Sequence, residues 1–345
     1  MRFDRINFRA KVQAILLCSH PIFAKVIVHY NALEFSADVP VVLTIGTFDG
    51  VHHGHRAVIA LLKQRAAELN GTSVLLTFDP HPRLVLHPEH HRLRLLNSLE
   101  ERKQLLASTG LDHLVIHPFT EDLSRMTPIE YVRELFGKGI RPKAVIIGYD
   151  HRFGRNREGT FDSLKNLGDV FGFSVESLPA QTVENTRVSS TKVREAIESG
   201  KVQQARQWLL EPYPLSGVVV KGRQVGRTIG FPTANLKIAD PLKLLPGKGV
   251  YAAFAQYHGG HEWHPAMVNV GTRPTVDPPT AENLVEVHLL EGGRSCYDET
   301  LHVRFIKRLR NEQVFDNLDG LKSQLQIDSD AAIRCLNEAT HLVAR

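Results

Sequence analysis

The pattern of apolar residues changes near Pro179, and this change constrains the fold more than any other feature. Between about residues 25 and 179, apolar runs such as VVLTI (41–45), SVLLTF (73–78) and KAVII (143–147) alternate with segments of helical spacing. Alternating strands and helices joined by short loops predict a parallel sheet covered by helices. Ligands of such sheets bind beyond the carboxyl ends of the strands, where the loops following these runs are expected to lie.

After Pro179 the pattern indicates a second architecture. A short helix over 188–200 and a linker over 211–214 precede short strand-like runs that are separated by Gly and Pro turns, as in small antiparallel barrels. Two helices, over 318–327 and 331–342, are expected to close the chain. The predicted organisation is therefore an N-terminal extension (1–23), an α/β domain (24–186), a helix and linker (187–214) and a β-barrel domain with a C-terminal helix (215–345).

Composition excludes several other classes of protein. The 345 residues carry a net charge of +5, but the charges are scattered, so bound phosphorylated small molecules explain them as well as nucleic acid does, and we expect no nucleic-acid role. No apolar run reaches 18 residues, so no membrane span is expected. Three widely separated cysteines, Cys18, Cys296 and Cys335, predict a reducing, cytoplasmic environment and no cysteine metal site. Self-association is left open.

The segment GTFDGVHHGH (46–55) follows the first apolar run and leads into a helical pattern. His52 and His55 therefore lie about one turn apart at a helix N-terminus, where unpaired N–H groups and the helix dipole favour anions. The same dipole disfavours the imidazolium, so neutral rings that donate an N–H to phosphate are expected. No GxxxxGK(S/T) loop occurs, which disfavours a Walker-type kinase. Zinc binding by the pair is a weaker alternative, because no cysteine or carboxylate at ligand spacing accompanies it.

A second helix start, VSSTKVR (188–194), offers hydroxyls for phosphate oxygens and a bidentate guanidinium at Arg194. On these two segments the first domain resembles the nucleotidylyltransferase superfamily, with HxGH and SSTxxR motifs. The resemblance implies that His52, His55 and Arg194 are catalytic, and that further residues bind the nucleotide: Gly46, Thr47, Phe48, Asp49, Gly54, Ser190 and Thr191. Between the motifs, GYDHRFGR (148–155) resembles a stretch of the FAD synthetase branch of this superfamily, which implies that Asp150 and Phe153 contact the flavin or the nucleotide. A loop whose aromatic ring fills the core explains the segment equally well.

The run KGRQVGRTIGFPTANL (221–236) carries the chemistry of the second domain. Its glycines allow close backbone approach to a ligand, and Thr233 and Asn235 are hard oxygen donors that suit Mg²⁺ with ATP. A Gly/Pro-rich hairpin with polar turn residues is the alternative. In LVEVHL (284–289), Glu286 alternates with Val285 and Val287, so it takes the opposite face and could serve as a general base.

These motifs occur in one order over almost the whole chain, which is identified as a member of the bacterial bifunctional riboflavin kinase/FAD synthetase family. The resemblance implies a Rossmann-like adenylyltransferase domain that converts FMN to FAD and a kinase barrel that phosphorylates riboflavin, with riboflavin, FMN and ATP as substrates. It also implies Thr233 and Asn235 as Mg²⁺ ligands and Glu286 as base, with Gly222, Arg227 and Gly230 at the nucleotide and Asn269, Thr272, Arg273 and Arg310 at the flavin. Asp298 stands where the family usually has glycine. A nucleotidylyltransferase for another acceptor and a non-catalytic flavin-binding regulator remain as alternatives.

Overall fold

The computed structural model describes residues 26–86, 93–148, 150–179, 182–183, 186–222, 225–272, 283–291 and 296–343. The predicted extension over 1–23 lies outside these residues. The described residues up to Ser190 form one compact unit, and those from Thr191 onward form another.

The first unit is built on a six-stranded parallel sheet in the order β1-β4-β3-β2-β5-β6. Its strands are β1 (Ile27–His29), β2 (Val41–Ile45), β3 (Thr72–Asp79), β4 (His113–Pro118), β5 (Ala144–Gly148) and β6 (Ser174–Leu178). Every residue of β2 is buried, because Val41, Leu43 and Ile45 face one apolar cluster while Val42 faces another on the opposite side. Continuous burial of this kind is what a parallel sheet with both faces covered requires.

The helices of this unit follow the strands in the expected alternation. They are α1 (His53–Glu68), α2 (Pro82–Leu86), α3 (Leu99–Ala107), α4 (Glu121–Arg125), α5 (Pro128–Val132), which continues as a π-helix over Arg133–Ile140, and α6 (Phe161–Phe171). Serine or threonine caps at Ser98, Thr127 and Thr160 form capping boxes that begin three of them. A short hairpin, β7 (Thr182–Val183) and β8 (Thr186–Arg187), precedes the second unit.

The second unit contains a closed barrel in the order β10-β13-β12-β11-β14-β9, antiparallel throughout its recorded pairings. Helices α7 (Ser190–Glu198) and α8 (Val202–Leu209) precede the strands β9 (Tyr213–Val220), β10 (Ala234–Lys237), β11 (Gly249–Tyr257), β12 (His264–Thr272), β13 (Asn283–Leu289) and β14 (Thr300–Arg310), with α9 (Val225–Thr228) after β9 and α10 (Leu318–Ala339) at the end. Ala252, Phe254 and Met267 pack beneath Ala332 and Leu336 of α10, so this helix covers part of the outer barrel surface. The predicted fold class is confirmed.

Two expectations for this unit are wrong. Tyr213 and Pro214 were expected in a linker, yet Tyr213 is fully buried and both pair with β14, so the barrel begins there. The two expected C-terminal helices form a single helix, because Asp328 does not end it. Its carboxylate is buried and accepts hydrogen bonds from Arg310 and from Gln324 one turn earlier, which neutralises the charge inside the helix.

Candidate active sites

The two histidines of GTFDGVHHGH lie together at the start of α1. His52 is the N-cap, and its Nδ1 accepts a hydrogen bond from the backbone N–H of His55 at 3.3 Å. The two rings stack with their centroids 3.7 Å apart at an interplanar angle of 11°. A neutral His52 that accepts through Nδ1 carries its proton on Nε2.

Burial keeps His55 uncharged. Burial lowers the pKa of its imidazole well below the usual value, and the neighbouring His52 lowers it further. Its Nδ1 is buried and has no hydrogen-bond partner among the described residues. Since buried polar atoms are rarely left unpaired, this nitrogen is a reasonable place for a ligand to bond. The neutral state expected from the helix dipole therefore has a second physical cause.

The loop before α1 has an unusual backbone conformation. Phe48 and Val51 both have positive φ, 48° and 41°, although neither is glycine. The Phe48 ring lies 4.8 Å from the His55 ring. A Cβ at Gly46 would come within 3.0 Å of the Phe48 ring. At Gly54 a Cβ would lie 3.3 Å from His52 Cε1. Glycine at 46 and 54 therefore makes room for the aromatic and imidazole rings.

Asp49 connects the loop before α1 to two other chain segments. Its side chain is almost fully buried, and the carboxylate accepts backbone hydrogen bonds from Leu96 and Asn97 at 3.1 and 3.2 Å. Its carbonyl oxygen accepts the Ser190 hydroxyl at 2.9 Å. The carboxylate therefore supports the loop, and nucleotide binding by Asp49 stays a prediction.

The second phosphate motif begins α7. Ser190 is its first residue and is tied to the carbonyl of Asp49 through its hydroxyl. Thr191 is exposed and Arg194 is partly buried within the first two turns. Backbone N–H groups at this helix start, together with Thr191 and Arg194, retain the chemistry of an anion site.

The two flavin candidates of the first unit occupy structural positions. Phe153 is buried in the core, with its ring 5.6 Å from that of Tyr131 and packed directly against Gly159. The side chain of Asp150 is 70% exposed and lies 3.5 Å from the Arg187 guanidinium. The alternative expectation, an aromatic ring that fills the core, describes Phe153, and the proposed flavin contact of its ring needs correction because little of the ring is accessible.

The barrel brings three polar side chains into one row. Glu286 of β13 pairs with Asn235 of β10 on one side and with Asn269 of β12 on the other. Directly paired residues on antiparallel strands point to the same face, with Cβ atoms about 5 Å apart. Val285 and Val287 are fully buried on the opposite face, as the alternation predicts. Met267, two residues from Asn269, packs beneath α10, so the row lies on the outer surface of the barrel.

The glycine-rich segment contacts one end of this row. Asn235 is buried, and its amide packs so closely on Gly222 that a Cβ there would overlap it. Thr233 is exposed and lies just before β10, so the two proposed Mg²⁺ ligands differ in accessibility. Arg227 lies in the short helix α9 and Gly230 in the turn that follows it; both are exposed, and Gly230 has a φ of 89°.

His288, which the sequence reading did not single out, fixes the segment before β10. Its Nδ1 lies 2.7 Å from the carbonyl oxygen of Pro232, and its ring packs 5.2 Å from that of Phe231. His288 is two residues from Glu286 and therefore lies on the same face of β13. The alternation of side chains in LVEVHL could have predicted this position from the sequence.

Arg310 forms an ion pair within the second unit. Its Nε and Nη2 lie 2.8–3.0 Å from the carboxylate of Asp328, and both side chains are largely buried. The pair joins the end of β14 to α10, and the flavin contact of Arg310 stays a prediction. Arg273 lies outside the described residues, as does the side chain of Thr272.

Two buried residues behind the histidine site, Asn97 and Arg102, were also missed. Asn97 accepts the backbone N–H of Gly50 at 2.9 Å, and Arg102 donates to the carbonyl of Thr47 at 2.9 Å. No sequence signal distinguishes Arg102 from the other charged residues of ERKQLL (101–106).

A cavity of about 680 Å³ is present at the opposite, amino-terminal edge of the parallel sheet. Phe35, Phe136, Arg141 and Lys143 are among the residues that line it, and none of the predicted site residues does. The candidate site residues therefore lie at strand ends and helix starts and not in this cavity.

Comparison with known proteins assigns each unit to a family. Residues 35–192 match the model for FAD synthetase and residues 209–336 match the model for riboflavin kinase. The bifunctional riboflavin kinase/FMN adenylyltransferase of Escherichia coli K12 is 38% identical over 288 residues, which are 83% of this chain and 90% of that protein. The Bacillus subtilis protein of the same name is 31% identical over 311 residues, covering 89% and 96%.

A solved structure has the same overall fold. A Streptococcus pneumoniae chain described as a macrolide-efflux protein is 30% identical, with a TM-score of 0.81, and the match covers 89% of this chain and 98% of that one. Among the described residues, no helix is both long and apolar enough to cross a membrane.

Proposed function

The chain belongs to the family of bifunctional riboflavin kinase/FMN adenylyltransferases, and from that premise we propose how its two sites divide the chemistry. The enzyme has an FAD synthetase domain followed by a riboflavin kinase domain. The proposal concerns which residues act, on which substrates and with which metal.

In the barrel, Glu286 is the general base. Its carboxylate takes the proton of the riboflavin 5′-hydroxyl, the hydroxyl oxygen bonds to the γ-phosphorus of ATP, and the bond from that phosphorus to the β-phosphate oxygen breaks to release ADP. The observation that carries this assignment is the row of Asn235, Glu286 and Asn269 across three paired strands. A carboxylate held between two amides on a regular sheet is well oriented for a single proton transfer.

The donor set at this end of the barrel suits Mg²⁺. Thr233 and Asn235 offer neutral oxygens of the kind that hard cations prefer, and ATP phosphates would complete the coordination. When bound, the ion neutralises charge that develops on the phosphates. The buried Asn235 amide, packed on Gly222, keeps its orientation fixed.

In the α/β unit, the FMN phosphate is the nucleophile. One of its oxygens bonds to the α-phosphorus of ATP, and the bond to the departing pyrophosphate breaks, so no general base is required. Neutral His52 and His55 donate N–H groups to phosphate oxygens. Thr191 and Arg194 keep the nucleotide-binding and catalytic roles that the family resemblance implies for them. The buried, unpartnered Nδ1 of His55 supports this assignment.

A product time course tests the proposal. The purified chain is incubated with riboflavin, ATP and Mg²⁺, and flavins and pyrophosphate are quantified. FMN should appear first, followed by FAD and pyrophosphate in equal amounts, and chelation of the metal should stop FMN formation. Adenylyl transfer to phosphopantetheine or nicotinamide mononucleotide, but not to FMN, would favour another nucleotidylyltransferase. Riboflavin binding without turnover would favour a regulator. The cytoplasmic location predicted from the cysteines stays part of this proposal.

A further inference from the structure

The histidine-containing loop is fastened to a second chain segment by hydrogen bonds in both directions. Asp49 accepts from the N–H groups of Leu96 and Asn97, and the Asn97 side chain accepts from the N–H of Gly50 at 2.9 Å. Arg102 Nη1 donates to the carbonyl of Thr47 at 2.9 Å. We call Asp49, Asn97 and Arg102 the loop clamp. It connects residues 47–50 with residues 96–102, which lie almost 50 positions away in the chain.

The clamp is buried and costly. The side chain of Arg102 is 6% exposed, and Asp49 and Asn97 are buried as well. Arg102 Nη2 lies 3.5 Å from the carbonyl of Phe78 and 3.9 Å from Asp79 Oδ1, while its Nε has no partner among the described residues. Its hydrogen-bond acceptors are carbonyl oxygens, and the carboxylates of Asp49 and Asp79 partly offset the desolvation that lowers its pKa. A buried charge arrangement of this kind seldom adds net stability over well-packed apolar side chains. A role other than stability therefore explains this arginine best.

The loop that the clamp holds is strained. Phe48 and Val51 adopt left-handed φ values on either side of Asp49 and Gly50. Such conformations are unfavourable for residues other than glycine and persist only where surrounding contacts enforce them, typically at functional sites. The clamp supplies those contacts, because it fixes the Asp49 carboxylate and the Gly50 N–H between the two strained residues and the Thr47 carbonyl just before them.

We propose that Arg102 is a positioning residue for adenylyl transfer, acting through the loop clamp. It turns the Thr47 carbonyl inward and holds the strained loop, so that His52 and His55 are set for the ATP phosphates before ATP binds. This inference rests on the proposed assignment of adenylyl transfer to the His52/His55 site. Preorganisation of this kind acts on kcat, since a misplacement of about 1 Å can cost roughly 100-fold in rate.

Arg102→Met tests the proposal because it removes the guanidinium and keeps most of the side-chain volume. We expect kcat for FMN adenylylation to fall about 100-fold, while riboflavin phosphorylation by the same molecules stays unchanged. Arg102→Lys should fall almost as far, since one ammonium cannot replace the fork. Methylguanidinium added to an Arg102→Ala variant should restore part of kcat. Arg65→Met is the matched control, because Arg65 also joins two elements of this unit, through Glu176, without contacting the loop.

Each outcome decides between a positioning and a purely structural role. A loss of adenylylation that matches the unfolded fraction, measured by thermal melting, or a loss equal to that of Arg65→Met, would overturn the proposal, as would no rescue by methylguanidinium. A His55→Ala variant tests the assignment of adenylyl transfer to this site separately from the role of the loop clamp. If it remains fully active, the assignment of the site is wrong. If it is inactive while Arg102→Met is within threefold of the unchanged enzyme, only the clamp is wrong.

Discussion

The two units position their candidate catalytic side chains in different ways. In the α/β unit the candidate groups lie on a strained loop and a helix start, and hydrogen bonds from a distant segment set their positions. In the barrel the candidate groups lie on regular strands, and the register alone aligns Asn235, Glu286 and Asn269. A site built on register needs few supporting contacts, whereas a site built on a loop depends on residues that never touch the substrate.

The largest expected effect is the loss of one activity while the other remains. Glu286→Gln keeps the size and hydrogen bonding of the side chain but removes the base, so riboflavin phosphorylation should fall about 1,000-fold. FAD formation from added FMN should remain, because it uses the other unit. Flavin products are separated by chromatography after incubation with each substrate. Full kinase activity in this variant would show that another group accepts the proton.

A smaller effect tests whether close packing sets the orientation of Asn235. Gly222→Ala places a methyl group where the Asn235 amide lies, so the amide must move. We expect kcat/KM for riboflavin phosphorylation to fall about tenfold and the Mg²⁺ requirement to rise, as a modest misplacement predicts. Gly320→Ala is a suitable control, since its Cβ would make only ordinary van der Waals contacts, with Asn317 Oδ1 at 3.4 Å and Phe315 Cδ1 at 4.0 Å. Equal activity in both variants would mean that Asn235 tolerates displacement.

Sequence reasoning succeeded where the signal was local and failed where it depended on contacts across the chain. The period of apolar residues predicted both architectures, and the alternation in LVEVHL oriented Glu286 correctly. The role of Asp49 could not be read from FDG, because its partners, Leu96 and Asn97, come from another segment. The break expected between 327 and 331 is absent for the same reason, since Arg310 neutralises the buried Asp328 only in the folded barrel.

The units should also differ in their response to acid. Burial lowers the pKa of His29, His55, His113 and His117, and it lowers the pKa of His151 to about 4, all in the α/β unit. In the other unit, burial lowers the imidazole pKa of His288. Below pH 6.5 the unfolded chain then binds more protons than the folded unit, so stability present at neutral pH is lost as pH falls, by up to about 1.4 kcal/mol per pH unit for each histidine that titrates only on unfolding.

The difference can be measured in the intact chain. Its only two tryptophans, Trp208 and Trp263, both lie in the second unit, so their fluorescence follows barrel unfolding, while far-ultraviolet circular dichroism also follows the helices of the α/β unit. Between pH 7.5 and 5.5 we expect the dichroism midpoint to fall by at least about 5 °C and the fluorescence midpoint by about 2 °C or less. Equal shifts would mean that the buried histidines do not govern acid stability.

The smallest expected effect comes from relieving backbone strain at Asp298, outside the candidate sites. It tests whether strain matters for activity only at the loop before α1. Asp298 also has a positive φ, 63°, in a turn where its N–H bonds to the carbonyl of Val219, and the family usually has glycine there. Asp298→Gly should relieve the strain and stabilise the barrel by about 0.5–1 kcal/mol, a rise of a few degrees in the fluorescence midpoint, with both activities unchanged. Val51→Gly relieves comparable backbone strain in the α/β unit, but it also removes a fully buried side chain, so it should destabilise that unit and slow adenylylation by loosening the loop held by Arg102. If Val51→Gly left adenylylation unchanged, strain at Val51 would be incidental and the contrast between the two sites would fail.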